Sequence, residues 1–150
     1  MKLLQHGHAI MALSAFIAVP GAAEHVADGG TILLATLTGA AERPGPGDPD
    51  GSGSIRVTVN PGQKRICYEL TIAGIATPTA AHIHVAPPTA PGPVAIPFPA
   101  PPLGTSSGCI DVTSRAAAQL IAKPGNYYFN VHNAEFPAGA IRGQLAKASH

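Results

Sequence analysis

Two neighbouring segments of this 150-residue chain alternate between apolar and polar side chains, and this alternation restricts the fold more than any other feature. In residues 54–60 three aliphatic side chains share one parity: Ile55, Val57 and Val59. Side chains project alternately to the two faces of a β-strand, so a period of two predicts a strand with one buried face. Residues 65–73 alternate in the same way, and a short Pro-Gly turn joins the two segments. The pair predicts a β-hairpin.

Further short segments are β-prone and bounded by turn residues, and they predict the remaining strands: 31–37, 79–85, 108–112, 126–133 and 140–146. Eight of the 16 prolines fall between residues 87 and 102. Because proline cannot donate to a strand ladder, this region predicts a rigid loop that contains at most an edge strand at residues 94–98.

Residues 114–122 are the one good helix candidate, with Ser114 as the predicted cap and Pro-Gly after the helix. One short helix among seven or eight short strands predicts an all-β domain, a Greek-key β-sandwich or flattened barrel. The richness in glycine and proline agrees with this class, because both residues occur mainly in turns.

The amino-terminal residues predict a secretory signal peptide over residues 1–23. Lys2 precedes an apolar run at residues 9–19, and small residues follow that run. The run is too short to span a bilayer, and a buried amino-terminal helix is the alternative interpretation. The predicted organisation is therefore a signal peptide followed by one secreted or periplasmic domain at residues 24–150.

The charge of the predicted mature chain is balanced. Removal of Lys2 leaves eight basic residues against eight acidic ones. A balanced chain has neither the basic stripe that binds nucleic acid nor a polybasic patch for a membrane surface, and it holds no second apolar span. We therefore expect no nucleic-acid partner and no membrane span after removal of the signal peptide.

Both cysteines, Cys67 and Cys109, lie in the mature part of the chain. Two thiols in an oxidising compartment are normally bridged, which predicts a disulfide. In the chain-entropy model a bridge between these positions contributes roughly 4 kcal/mol. A metal site that uses cysteine is the alternative, but neither cysteine has a histidine or cysteine at ligand spacing.

Three histidines occupy strand positions of matching parity. His82 and His84 share one face of the predicted strand 79–85, and His132 faces outward from strand 126–133. If the two strands are neighbours, three neutral imidazoles converge on one point, and such a set binds copper or zinc. Asn130 shares the face of His132 and is predicted to orient an imidazole from outside the ligand set.

Parity also divides the strands into two sets of side chains. The predicted core positions are Ile83, Val131, Ile141 and Leu145. The predicted outward positions are polar: His82, His84, Asn130, His132, Arg142 and Gln144. The alternative to a metal site is a group of solvated or hydrogen-bonded histidines on an exposed face, and the predicted alternative for Arg142 is an ion pair or bonds to backbone carbonyls that hold a loop.

Several motifs together resemble the CHRD domain, named after chordin. These are the His-Ile-His strand at residues 82–84, Gly-Pro-Val at 92–94, Tyr-Phe-Asn-Val-His at 128–132 and Ile-Arg-Gly-Gln-Leu at 141–145. The resemblance covers residues 31–146 and implies an extracellular module. Two departures are visible: Val-Ala-Pro follows His84 where a glycine is usual, and Ala140 stands where an acidic residue usually precedes Ile-Arg-Gly.

The pattern is also distantly similar to copper-zinc superoxide dismutase. This second resemblance implies that His82, His84 and His132 match copper ligands and that Arg142 matches the catalytic arginine that guides the anion. The zinc-binding loop of that enzyme has no counterpart, so a copper-only site is the most that the resemblance implies.

The leading hypothesis is a secreted protein that binds copper through three histidines. If it is an enzyme, the expected reaction is redox chemistry on superoxide, a small anion. The competing hypothesis is an extracellular or cell-surface interaction module without metal, which would bind another protein. Distance separates the two hypotheses, because imidazole nitrogens within about 4 Å of one another suit a shared ion. A structural zinc site would need a fourth ligand that the sequence does not reveal.

Overall fold

The computed structural model describes residues 29–149. Nine β-strands account for most of the ordered structure, in chain order β1 (Thr31–Thr38), β2 (Ser52–Asn60), β3 (Arg65–Ala73), β4 (Pro78–Val85), β5 (Val94–Phe98), β6 (Gly104–Asp111), β7 (Tyr127–Asn133), β8 (Ile141–Gln144) and β9 (Ala146–Lys147). One α-helix, α1 (Ser114–Ala122), lies between β6 and β7, and short 3-10 turns occupy Gly39–Ala41 and Pro124–Asn126. The predicted signal peptide lies outside the described residues.

The strands form one antiparallel sheet that curls into a nearly closed barrel, which confirms the predicted all-β class. The strand order is β5-β4-β7-β8-β1-β2-β3-β6, and β9 pairs with β1. The chain leaves β3 to begin β4 on the far side of β1, so the connections cross the barrel as in Greek-key folds. Within residues 29–149, no helix is both long and apolar enough to cross a membrane.

The interior of the barrel is filled by the apolar parity set. Ile83, Val131, Ile141 and Leu145 are all at most 1% exposed, which confirms the predicted core positions. The predicted hairpin is also present, since β2 pairs with β3 along its whole length. α1 adds Ala117 and Leu120 to this core, so the helix is held by its apolar side.

The structure differs from the sequence-based prediction most clearly at β6, at the last strand and at the helix cap, and by one or two residues at other strand ends. β6 begins at Gly104 rather than residue 108, because Gly104 to Ser107 pair with β3 despite their weak β-propensity. The predicted strand at 140–146 is divided at Leu145 into β8 and β9, which pair with β1 in different places. The helix cap is Thr113, whose side chain accepts from the Ala116 N–H, and not the predicted Ser114.

Cys67 and Cys109 stand directly opposite each other on β3 and β6 and form the predicted disulfide. The bridge therefore ties the edge strand β6 to its neighbour. β5, at the other end of the sheet, is the predicted edge strand in the proline-rich region. Pro97 lies within it, as expected where one side of a strand has no ladder to donate to.

Candidate metal centre

The two histidine-bearing strands are direct neighbours in the sheet. β4 pairs with β7 so that His82 stands opposite Asn130, His84 opposite Tyr128, and His132 opposite Ala80. All the polar residues of this group share the outer face of the sheet, as parity requires. The side chains that sequence parity placed on one face are therefore neighbours across strands as well.

The three imidazoles converge. His82, His84 and His132 each offer one ligand atom, and these atoms all lie within 4.8 Å of one another. The closest pair is His82 Nδ1 and His132 Nε2, at 3.2 Å. Two nitrogens bound to one ion at about 2.0 Å in tetrahedral geometry lie about 3.3 Å apart. This pair is at hydrogen-bond distance, which is also close to the separation of two ligands on one ion, whereas the three ligand atoms as a set span up to 4.8 Å.

Backbone carbonyls select the ring nitrogens that face the cluster. His84 Nδ1 donates to the Gly92 carbonyl at 2.8 Å, and His132 Nδ1 donates to the Pro137 carbonyl at 3.0 Å. A donated Nδ1–H leaves the lone pair of a neutral ring on Nε2. Carbonyl bonds of this kind commonly hold metal-binding histidines in position.

His84 Nε2 is a buried acceptor that has no hydrogen-bond partner among the described residues. His84 is only 8% exposed, so water does not readily replace the missing partner. Orphaned buried polar atoms are rare in folded proteins and call for an explanation such as an ion. A metal ion in the histidine cluster would satisfy this atom.

The pKa values of all three histidines are lowered from the ordinary value. Burial is the main cause for each, because it disfavours the charged imidazolium; at His82 the neighbouring His132 and His84 add repulsion. Neutral imidazole is the form that binds a metal ion. The cluster is therefore kept in its metal-binding form near neutral pH.

The polar outer face of the sheet is partly covered by another segment of the chain. Asn130 and Arg142 are each 1% exposed, because residues 86–92 fold across this face of the sheet. Arg142 donates from Nη1 to the Ala90 carbonyl and from Nη2 to the Pro87 carbonyl. Gln144 donates to the Ala86 carbonyl and so holds the start of the same segment. Arg142, Asn130 and His84 therefore lie on the predicted outer face of the sheet, where other parts of the chain bury them.

Arg142 thus makes the contacts of the alternative prediction, in which bonds to backbone carbonyls hold a loop. Its guanidinium also lies 3.4 Å above the centre of the Tyr128 ring, and that ring stacks on His84 at 4.8 Å with an angle of 6° between the planes. The Tyr128 hydroxyl accepts from the Gly92 N–H. Arg142, Tyr128 and the loop together fix the His84 ring from two sides. The anion-guiding role implied by the dismutase resemblance stays a prediction.

Glu42 is a buried residue of this region that sequence reasoning missed. It follows the 3-10 turn after β1, is 3% exposed, and packs its carboxylate against Gly139, where any Cβ would overlap it. Burial raises the pKa of Glu42 to about 7, and the positive charge of Arg142 opposes this rise. No local pattern marks Glu42, because its neighbours are distant in the chain.

Asn130 connects Glu42 to the histidines. Its side-chain amide donates to Glu42, and its Oδ1 lies 3.1 Å from His132 Nε2. Asn130 therefore lies next to the histidine ligand atoms, where the sequence placed it. The role that the sequence predicted for it, orientation of an imidazole, stays a prediction.

The arrangement as a whole fits a metal ion. It provides three neutral nitrogen donors on two adjacent strands, carbonyls that fix two of the rings, and a buried lone pair in need of a partner. In the part of the chain that the structure describes, this is the one group of three or more histidine, cysteine or acidic residues with this geometry.

Comparison with known proteins identifies a single family. The CHRD domain profile matches residues 33–145, a stretch that includes the three histidines, Asn130 and Arg142. No curated protein and no solved structure matches the chain.

Proposed function

The chain belongs to the CHRD domain family, which suggests an extracellular module, and from this premise we propose that it binds one copper ion outside the cytoplasm through His82, His84 and His132. The observation that carries the proposal is the convergence of three imidazoles, whose ligand atoms all lie within 4.8 Å of one another and include the buried Nε2 of His84.

Copper is favoured over other ions by the chemistry of the donors. Imidazole nitrogen binds copper, zinc, nickel and iron, and among divalent ions of this row the affinity is highest for copper. The predicted mature protein would be located in an oxidising compartment, and the disulfide between Cys67 and Cys109 agrees with this location. Bound copper supplies a centre that can change between two oxidation states.

The chain's own residues hold the site in a defined shape. The Gly92 and Pro137 carbonyls fix the His84 and His132 rings, and residues 86–92 exclude water from the His84 side. His82 is more exposed than His84 and forms the open side of the cluster. We therefore expect the ion to enter past His82.

The contacts of Arg142 do not favour superoxide chemistry at the proposed copper site. Superoxide chemistry, implied by the resemblance to dismutase, needs an arginine free to meet the anion, whereas both terminal nitrogens of the Arg142 guanidinium are bonded to loop carbonyls. An interaction module without metal remains the competing function, and the experiment below distinguishes the two.

The test is a chelator-competition titration of the purified, metal-free full chain with Cu(II), Cu(I) and Zn(II). We expect one equivalent of copper to bind, with zinc displaced by Cu(II). Substitution of single ligands, as in His84→Gln and His132→Gln, is expected to lower copper affinity at least 100-fold while the protein keeps its β-sheet circular dichroism.

His25→Gln serves as the histidine control variant, because His25 is not one of the three proposed ligands. We expect it to bind copper as the wild type does. Absence of stoichiometric copper binding by the wild type, or binding that survives both cluster variants, would leave the metal-free interaction module as the function.

A further inference from the structure

We propose that the side-chain oxygen of Asn130 is a fourth ligand at this centre and that it makes the site prefer oxidised copper, Cu(II), over Cu(I). The inference rests on the proposed copper function and deepens it. Strand parity placed Asn130 on the same face as His132. The sequence alone did not show whether the Asn130 side-chain oxygen binds the ion directly or orients an imidazole from outside the ligand set.

The distances are those of a shared coordination sphere. Asn130 Oδ1 lies 3.1 Å from His132 Nε2, and His82 Nδ1 lies 3.2 Å from the same nitrogen. Donor atoms around one tetrahedral ion with bonds of about 2.0 Å are separated by about 3.3 Å. Two different side chains on neighbouring strands therefore flank His132 Nε2 at the spacing of ligands.

The proton arrangement agrees with a cation at this point. His132 Nδ1 is occupied as a donor to the Pro137 carbonyl, so Nε2 of the neutral ring carries a lone pair. Asn130 Oδ1 also carries lone pairs and cannot donate a proton. A cation beside both atoms would be attracted by the two lone pairs at once.

Glu42 sets the orientation of the Asn130 side-chain amide. The Asn130 amide nitrogen donates to Glu42, which keeps the carbonyl oxygen turned toward the histidines. Glu42 and Asn130 are both at least 97% buried, so solvent does not compete for this contact. Glu42 is thus a positioning residue that acts through Asn130.

An oxygen ligand changes the preference between the two oxidation states. Amide oxygen is a hard donor that adds affinity for Cu(II) and little for Cu(I), which prefers soft ligands. Three imidazoles alone serve both ions. We therefore expect the Asn130 oxygen to lower the reduction potential of the bound copper.

The test compares Asn130→Leu with the wild type by separate Cu(II) and Cu(I) competition titrations. We expect Cu(II) affinity to fall about tenfold and Cu(I) affinity to stay within twofold. A tenfold change confined to the oxidised form raises the one-electron potential by about 59 mV. Changed g and hyperfine values in the Cu(II) electron paramagnetic resonance spectrum should accompany it.

Asn133→Leu is the matched control, because Asn133 is an equally buried asparagine on the same strand whose Oδ1 accepts from the Phe136 N–H. Its copper affinities should both remain near those of the wild type. Asn130→Asp, which keeps an oxygen, provides a second reading if Asn130→Leu does not fold, and it should bind Cu(II) at least as tightly as the wild type.

A separate readout needs no metal. In the metal-free protein one Asn130 side-chain amide proton should be shifted downfield in ¹H-¹⁵N spectra, and Glu42→Gln should remove this shift. Equal losses of Cu(II) and Cu(I) affinity in Asn130→Leu, or no loss, would overturn the fourth ligand while copper binding by the wild type still stood. Failure of the wild type to bind copper would instead refute the proposed function.

Discussion

At the scale of single residues, the region around the histidines combines groups whose charge states are controlled by burial. Glu42 is a carboxyl group enclosed by Gly139, Asn130 and Arg142, and burial raises its pKa from 4.5 to about 7. A raised pKa means that the folded protein disfavours the charged form. The histidines nearby have lowered pKa values for the same reason, because burial disfavours their charged form as well.

Glu42→Gln is expected to stabilise the metal-free protein at alkaline pH and to have little effect in acid. Above pH 7 the wild type must bury a carboxylate that unfolding returns to water. Between pH 4.5 and about 7 the folded protein binds more protons than the unfolded chain, so the contribution of Glu42 to stability rises as the pH falls. The neutral glutamine lacks this dependence, and its advantage at pH 8 should reach up to about 3 kcal/mol.

Urea unfolding of both proteins at pH 4.5 and pH 8, in the presence of a chelator, measures this difference. The histidines titrate equally in both proteins, so their opposite dependence cancels in the comparison. An advantage of the same size at both pH values would mean that Glu42 is not titrating inside the fold.

Arg142→Lys is expected to loosen the segment at residues 86–92. The ammonium of lysine cannot reproduce the two bonds to the Pro87 and Ala90 carbonyls together with the stack on Tyr128. We expect a loss of about 1–3 kcal/mol in the free energy of unfolding and faster proteolysis within the segment. Because Gly92 then no longer fixes His84, copper affinity should fall about tenfold.

The matched control is Arg56→Lys, since Arg56 forms an exposed ion pair with Glu69 at 3.7 Å. Pairs of this kind contribute about 0–1 kcal/mol, so this variant should behave as the wild type does. If Arg142→Lys left both the free energy of unfolding and the rate of proteolysis unchanged, Arg142 would not hold the loop. The anion-guiding role would then be favoured.

At the scale of elements, two neighbouring hydroxyl groups at the start of α1 have different roles. Thr113 accepts from the Ala116 N–H, whereas Ser114 Oγ donates to the Pro61 carbonyl in an exposed turn. Thr113→Ala should therefore cost about 1 kcal/mol, the usual value for loss of a cap. Ser114→Ala should be close to neutral, because the better helix propensity of alanine offsets an exposed hydrogen bond.

Urea denaturation of the two variants decides between them, and a larger loss for Ser114→Ala would restore the cap that the sequence predicted. The difference of one residue is typical of helix ends, where adjacent hydroxyl residues are equally suited in composition. The extended backbone of Thr113 and the bond that its side chain accepts from the Ala116 N–H identify it as the cap.

The strands were predictable where the information is local. Alternation placed Ile83 and Val131 inside the barrel and the histidines on the opposite face, because parity depends only on successive residues. The burial of Arg142 was not predictable, since it depends on a segment more than fifty residues away that folds over it. Glu42 was missed for the same reason, and the first half of β6 forms only because β3 offers a partner.

At the scale of the whole molecule, the disulfide and the histidine cluster lie on different strands of the barrel. Cys67 and Cys109 join β3 to β6, whereas the histidines lie on β4 and β7. In the sheet order these two pairs are separated by β8, β1 and β2, and across the seam of the barrel β5 lies between them. Their effects on the protein should therefore be independent.

The double substitution of Cys67 and Cys109 by serine is expected to lower the free energy of unfolding and to leave copper binding unchanged. The bridge closes a loop with a sequence separation of 42 residues, for which the chain-entropy model gives about 4 kcal/mol. Copper binds only the folded cluster, so saturating copper should raise the stability of both proteins by the same amount.

Chemical denaturation with and without copper measures the stability lost with the disulfide and the stability gained from copper. The native circular dichroism spectrum shows that the serine variant still folds. If the serine variant folded but bound copper more weakly, the distant edge of the sheet would be coupled to the histidine strands, and the barrel would act as one cooperative support for the site.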